Sequence, residues 1–299
     1  MEELVAVKSK IKEFVKECND AKSLELLEKL ANGKMLRSKL ILKIAGENDE
    51  SIKLCAIVEM IHAASLLHDD VIDESDTRRG QPSVNALYDN KTSIMFGDIL
   101  YSIAFTQLTY MSKEIAYTVS SAVTKLSIGE MLDVDLTNTF NKSYDKYLDM
   151  IYKKTASLIE ASAKAAALLC GKDPQKYALY GKNLGLAFQM VDDILDITQD
   201  SQTLGKPAML DFVEGKVTIP YLLLHERIEE KSKLESLYKK ELTNDESDWI
   251  KEQMSSTKAL DDSISQAKEI GNEAIDAVKD EENAEVLTFI MKAMIEREF

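Results

Sequence analysis

Only four of the 299 residues are proline, Pro82, Pro174, Pro207 and Pro220, and the stretches between them are free to run as long helices. Proline inside a helix removes a hydrogen bond and clashes with the preceding turn. Apolar side chains in these stretches recur at helical spacing, and none alternates as a strand does. Leu, Ala, Ile, Lys and Glu are abundant, which favours helix. The sequence therefore predicts an all-α fold. Helices are expected over roughly residues 2–18, 22–32 and 36–45, then from an N-cap at Ser51 to about Asp73. Further helices are expected over about 84–88, 92–111, 114–135, 143–170, 175–198 and 218–225, with two or three charged ones to finish. ESDTRRGQPS and QDSQTLGKPAML read as polar loops. No Pro/Gly/Ser-rich linker divides the chain, so residues 1–299 are read as a single domain.

The formal charge of −15 argues against nucleic acid as a partner, since phosphate binding needs a basic face. Most of this charge reads as a solvated surface, and a polyanionic substrate would need a local pocket of Lys and Arg. Cys18, Cys55 and Cys170 are widely spaced and odd in number, as expected of reduced, mostly buried thiols in a cytosolic protein. The N-terminus MEELVAVKSKIKEF has no apolar core of a signal peptide, and no uninterrupted apolar run approaches a membrane span. A cytoplasmic protein without an integral membrane segment is expected.

Two segments echo one another across the chain. Asp69, Asp70 and Asp73 in LLHDDVIDESD, and Asp192, Asp193 and Asp196 in FQMVDDILDITQD, each form DDxxD at the end of an apolar helix. The outer aspartates are at i and i+4 on one helix face, where like charges cost roughly 0.2–0.5 kcal/mol per pair unless neutralised. One such cluster could be a solvated helix end; two matching ones point to bound cations. Oxygen donors without a Cys/His set favour Mg²⁺ over zinc. Mg²⁺ takes one or two carboxylates and fills its shell with water and substrate phosphate.

Basic residues accompany the clusters. Gly33-Lys34-Met35-Leu36-Arg37 puts Lys34 and Arg37 at a helix start, where anions are favoured. Arg78 and Arg79 follow the first cluster, and Lys206 and Lys216 the second. Glu59-Met60-Ile61-His62 has the ExxH form of di-iron bundles, but that site needs two such motifs. Neither His68 nor His225 has Glu three residues earlier, so the di-iron reading fails.

With NGKMLRSKL, IHAASLLHDDVIDESDTRRGQPS, FGDILY, KTASLIEAS, FQMVDDILD, LGK and EGKVTIP in that order, the chain resembles the trans-isoprenyl diphosphate synthases, or polyprenyl synthetases, over nearly its whole length. Its longer-chain members, of the octaprenyl type, are nearest in motif. The resemblance implies a large helical bundle around a central cavity, a homodimer, and about three Mg²⁺ ions at the aspartates. It implies that Lys34, Arg37, His62 and Arg79 hold isopentenyl diphosphate. Arg78, Lys154, Thr155, Gln189, Lys206 and Lys216 would attend the allylic diphosphate or its cation. Two departures stand out: the family's GGKxxRP is NGKMLRS here, with Ser38 in place of proline, and the acidic pair before EGK is Leu210-Asp211.

A terpene cyclase would share the first cluster but has no need of Lys34, Arg37 and His62. A catalytically silent partner subunit would be expected to have lost one cluster. For product length, the family's short-chain members carry a bulky residue four or five positions before the first cluster; here those positions are Ala64 and Ser65. A helix rises about 5.4 Å per turn, close to one extended isoprene unit. With Leu108 as the next barrier, the sequence predicts a product of about seven to nine units, roughly C35 to C45, of the quinone side-chain type. A farnesyl or geranylgeranyl diphosphate synthase is the alternative.

Overall fold

A computed structural model describes residues 2–31, 33–198 and 209–296. The order is α1 (Glu2–Lys16), α2 (Ala21–Lys29), α3 (Leu36–Ala45), α4 (Asp49–Ile72), β1 (Thr77–Arg78), β2 (Gln81–Pro82), α5 (Val84–Leu87), α6 (Asn90–Leu108), α7 (Lys113–Leu136) and α8 (Tyr144–Ile151). A π-helical turn (Tyr152–Ala156) leads into α9 (Ser157–Leu169), followed by α10 (Pro174–Thr198), α11 (Leu210–Val213), α12 (Ile219–Arg227), α13 (Lys231–Leu237), α14 (Asn244–Ser256), α15 (Ala259–Val278) and α16 (Ala284–Ile295).

The chain packs as two compact units, residues 1–123 with 161–178, and residues 124–160 with 179–299. The boundaries fall inside α7, α9 and α10, consistent with the absence of a linker composition. In the first unit α4 is the core helix. Leu54, Ile57, Val58, Met60 and Ile61 are almost wholly buried along it, with α1, α3 and α6 packed around. That surround explains why α4 is apolar on nearly every side. By length and composition α4 is long and apolar enough to cross a membrane, although Lys53 and Glu59 interrupt its apolar run and most of that stretch is buried within the fold. The second unit has its own core of Met190, Val191, Phe212, Tyr221 and Leu224, with the Phe212 and Tyr221 rings stacked at 4.3 Å.

Three local features differ from the sequence reading. Helix α4 starts at Asp49, because Asn48 rather than Ser51 is its N-cap. Asn48 Oδ1 accepts from Ser51 N and Ser51 Oγ accepts from Asn48 N, each at 3.0 Å, a reciprocal capping box. The loop after the first cluster contains a short antiparallel hairpin, Thr77 opposite Pro82 and Arg78 opposite Gln81. The single helix expected over 143–170 is interrupted by the π-turn.

Replacing Asn48 with Ala orphans the α4 start and is expected to lower unfolding free energy by about 1 kcal/mol. Urea denaturation of the purified protein measures it.

Candidate active site

Helix α4 carries Asp69 and Asp70 in its last turn and ends at Asp73. Asp70 is buried and accepts from Arg78 Nε at 2.5 Å. Burial raises its carboxyl above the ordinary range even so, with Arg78 opposing that rise. Its carbonyl accepts from Ser75 N at 2.9 Å and Asn85 Nδ2 at 3.3 Å, which fixes the helix end. Asp69 is half-buried and Asp73 exposed. The first cluster is thus divided: Asp70 faces an arginine, and Asp69 and Asp73 lie toward solvent.

The hairpin sets the two arginines. Its turn residues Arg79 and Gly80 both have positive φ, 54° and 73°, the geometry of the tight turns that follow strand twist. Glycine takes this conformation freely, whereas arginine adopts it at roughly 1–2 kcal/mol. The Arg79 guanidinium packs over Gly33, where an added Cβ would stand 2.5 Å from Nη1. Gly33 therefore leaves room for Arg79 beside the loop that leads into α3. Lys34 in that loop is exposed, and Arg37 in the first turn of α3 is half-buried with its Nε lacking a hydrogen-bond partner. Burial lowers the Arg37 pKa, as does Arg79, while Glu59 opposes them. His62 is pushed well below its usual range by burial first, then by Arg37, Arg79 and Arg78. Three guanidiniums thus surround a neutral imidazole, with Arg78 held by Asp70 and Arg37 facing Glu59.

The second unit builds a different site. Asp193 and Asp196 are buried on α10, and Asp192 is half-buried. Asp193 Oδ1 accepts from Gln189 Nε2 at 2.9 Å and Oδ2 from Tyr147 Oη at 2.7 Å. Burial, Asp211 and Asp192 together push the Asp193 carboxyl well above its normal range, despite those two hydrogen bonds. Asp196 Oδ2 accepts from Asp211 N at 3.2 Å, and its carbonyl from Met209 N at 2.8 Å, so this residue anchors the start of α11.

Lys154 and Thr155 lie in the π-turn, whose extra residue re-aims side chains relative to an α-helix. Its backbone is gripped at two glycines. A Cβ on Gly129 would stand 2.6 Å from the Lys153 carbonyl carbon, and one on Gly185 2.5 Å from Ala156 Cα. Lys154 Nζ reaches Asp133 Oδ2 at 2.5 Å and Glu130 Oε2 at 2.9 Å. Thr155 Oγ1 donates to Gln189 Oε1 at 2.8 Å. Lys216 bonds Glu214 at 2.8 Å; burial disfavours its charge, but Asp211, Asp133 and Glu214 outweigh burial and raise its pKa. Lys206 lies outside the described residues.

Among the described residues no three carboxylate, imidazole or thiol groups converge into a ready-made metal cage. The donor set still fits Mg²⁺, which needs one or two carboxylates beside water and phosphate. Asp193 with Asp192 and Asp211 near it concentrates negative charge that a divalent cation would relieve.

The sequence reading does not mark Glu130, Asp133 or Tyr147, and marks Glu59 only within the ExxH pattern. Glu130 and Asp133 stand three apart on α7 and are nearly buried, which sequence alone signals only as acids within a helix.

A sequence profile described as polyprenyl synthetase matches residues 22–254. The chain belongs to the polyprenyl synthetase family. It is thereby placed among prenyl-transferring enzymes. A short chain isoprenyl diphosphate synthase of Methanothermobacter thermautotrophicus is 38% identical over 215 residues, covering 68% of this chain and 66% of that protein. An octaprenyl diphosphate synthase of Haemophilus influenzae is also 38% identical, over 249 residues, covering 78% of this chain and 73% of that one. The solved octaprenyl pyrophosphate synthase of Helicobacter pylori matches with a TM-score of 0.94 at 42% identity, covering 99% of each chain.

Because His62 has a depressed pKa in the folded protein, protons bind the unfolded chain more tightly. Stability should be full above about pH 6.5, the unfolded value, and fall as pH drops below it. His62→Gln is expected to lose less stability than wild type between pH 7.5 and 5, measured by urea denaturation at each pH.

Proposed function

We propose that the chain condenses an allylic diphosphate with isopentenyl diphosphate units head to tail, releasing diphosphate. One feature supports this reading: Arg37, Arg78 and Arg79 gather around neutral His62, whereas the aspartate clusters would need a cation to meet phosphate. A two-substrate reaction between diphosphates, only one of which must leave, calls for such a division.

In this reading Lys34, Arg37, His62 and Arg79 bind and orient isopentenyl diphosphate so that its double bond meets the allylic carbon. Neutral His62 donates a hydrogen bond without adding to the charge among the arginines. Asp69 and Asp73 in one unit, and Asp192, Asp193 and Asp196 in the other, would hold Mg²⁺, about three ions by family resemblance. Mg²⁺ when bound stabilises negative charge on the leaving diphosphate. Arg78, Lys154, Lys206 and Lys216 would add to that stabilisation. Lys154 arrives already aimed by Glu130 and Asp133, and Thr155 with Gln189 lies beside Asp193. The proton lost after bond formation passes to the departing diphosphate, so no side-chain nucleophile is needed.

The product is proposed to be long, about seven to nine isoprene units, for a quinone side chain. The octaprenyl synthases among the relatives support this, as do the small residues Ala64 and Ser65 before the first cluster and Leu108, buried at the end of α6. Ala64 also lies at the crossing of α4 with α6, its carbonyl 3.3 Å from where a Cβ on Gly97 would stand. Part of its smallness therefore serves that crossing. A homodimer is proposed as well, and the exposed apolar Ile128, Met131 and Val134 on α7 support it. A cytoplasmic location completes the reading.

Turnover of an allylic primer with labelled isopentenyl diphosphate is expected to vanish in EDTA and return with Mg²⁺. Full activity in metal-free buffer would sink the mechanism. Chromatography of the products is expected to show a long chain. Ser65→Phe or Ala64→Phe should shorten it to about three or four units with condensation retained, Ala64→Phe at an added loss of thermal stability. Wild-type products that stop at fifteen or twenty carbons would overturn the long-chain reading.

A further inference from the structure

The start of α3 lacks the cap that its own sequence would normally supply. Its N-cap is Met35, held at a left-handed φ of 48° with no side-chain hydrogen bond to the helix. The third helical residue, Ser38, is fully buried and stands where the resembling family carries proline. Proline would bring neither an N–H nor a hydroxyl to that position; serine brings both. Both are met by one side chain from another helix. Glu59 Oε1 accepts from Ser38 Oγ at 2.7 Å and from Ser38 N at 3.2 Å. One turn earlier on α4, Cys55 Sγ lies 3.6 Å from the Ser38 carbonyl. Cys55, Glu59 and His62 are spaced four and three apart, and so share one face of α4. That face holds Ser38 with its first two members and presents the third to the arginine cluster.

We propose that Glu59 is a positioning residue for isopentenyl diphosphate: it caps α3 from α4 and so fixes Arg37, the residue next to Ser38, relative to His62. Its charge also favours the ionised form of Arg37, against burial and against Arg79. The device suits a chain in which serine replaces proline, because serine creates the two buried donors that Glu59 satisfies. The inference rests on Arg37 and His62 serving isopentenyl diphosphate as proposed above.

Condensation by the wild-type chain is measured first and tests that functional reading alone. Given activity, Glu59→Ala is expected to raise KM for isopentenyl diphosphate about tenfold, as two buried donors lose their acceptor. KM for the allylic diphosphate and kcat should stay within about twofold. Glu59→Gln keeps an acceptor oxygen and should remain within about threefold of wild type. Ser38→Pro removes both donors in the first helical turn, where proline is tolerated. In that background Glu59→Ala should raise the same KM less than about threefold further. An unchanged KM for isopentenyl diphosphate in Glu59→Ala, an equal rise in both KM values, or a full Glu59→Ala effect persisting in the Ser38→Pro background overturns the positioning role. Thermal denaturation of each variant accompanies the kinetics, and Glu59→Gln with Ser38→Pro keeps the test decisive should Glu59→Ala fold poorly.

Discussion

Charge placed in apolar surroundings is the constraint on which this structure depends. A carboxylate or guanidinium taken out of water must find a partner or change its protonation. Asp70 meets Arg78, Asp193 meets Tyr147 and Gln189, and Glu130 and Asp133 share Lys154. The partners do more than neutralise, because each is directional and fixes a side chain that a solvated charge would leave mobile. Where the partner falls short, as at Asp193 crowded by Asp192 and Asp211, the carboxyl is raised and the position favours an incoming cation.

Precision in the second unit comes from the backbone as much as from charge. An extra residue in the Tyr152–Ala156 turn would let Lys154 and Thr155 wander if the turn were loosely packed. Gly129 on α7 and Gly185 on α10 bring two helices against that backbone at distances no side chain would permit. The resulting grip lets a distorted helical turn behave as a rigid platform.

Much of this was legible in the sequence, and the reasons are physical. Scarce proline and helical periodicity gave the all-α fold, and α3 runs from Leu36 to Ala45 as the pattern indicated. The aspartate clusters were legible because acids at i and i+4 in apolar helices violate local preference. The π-turn was not, since its residues have ordinary helical periodicity and the glycines that pack against it lie more than twenty residues away. The α4 cap lies three residues before Ser51 because Asn48 and Ser51 both cap well and the two cap each other. In sequence Glu59 stands out only as half of an ExxH pattern, whereas its bond is to a serine twenty-one positions earlier. The membrane-like composition of α4 reflects its central place among other helices, which a hydropathy pattern alone does not distinguish from lipid.

The thiol of Cys55 lies against the Ser38 carbonyl, with no exposed surface and a pKa pushed up to about 12 by burial. Such a thiol is inert while α3 stays docked on α4, because the thiolate is the reactive form and reagents cannot reach it. Cys18 and Cys170 are exposed, against the expectation of mostly buried thiols. The chain thus contains its own chemical clock for the seam beside Arg37. The rate at which Cys55 becomes alkylated, set against the two surface thiols, counts how often that seam opens, and a ligand that bridges α3 and α4 would slow it without touching the sulfur.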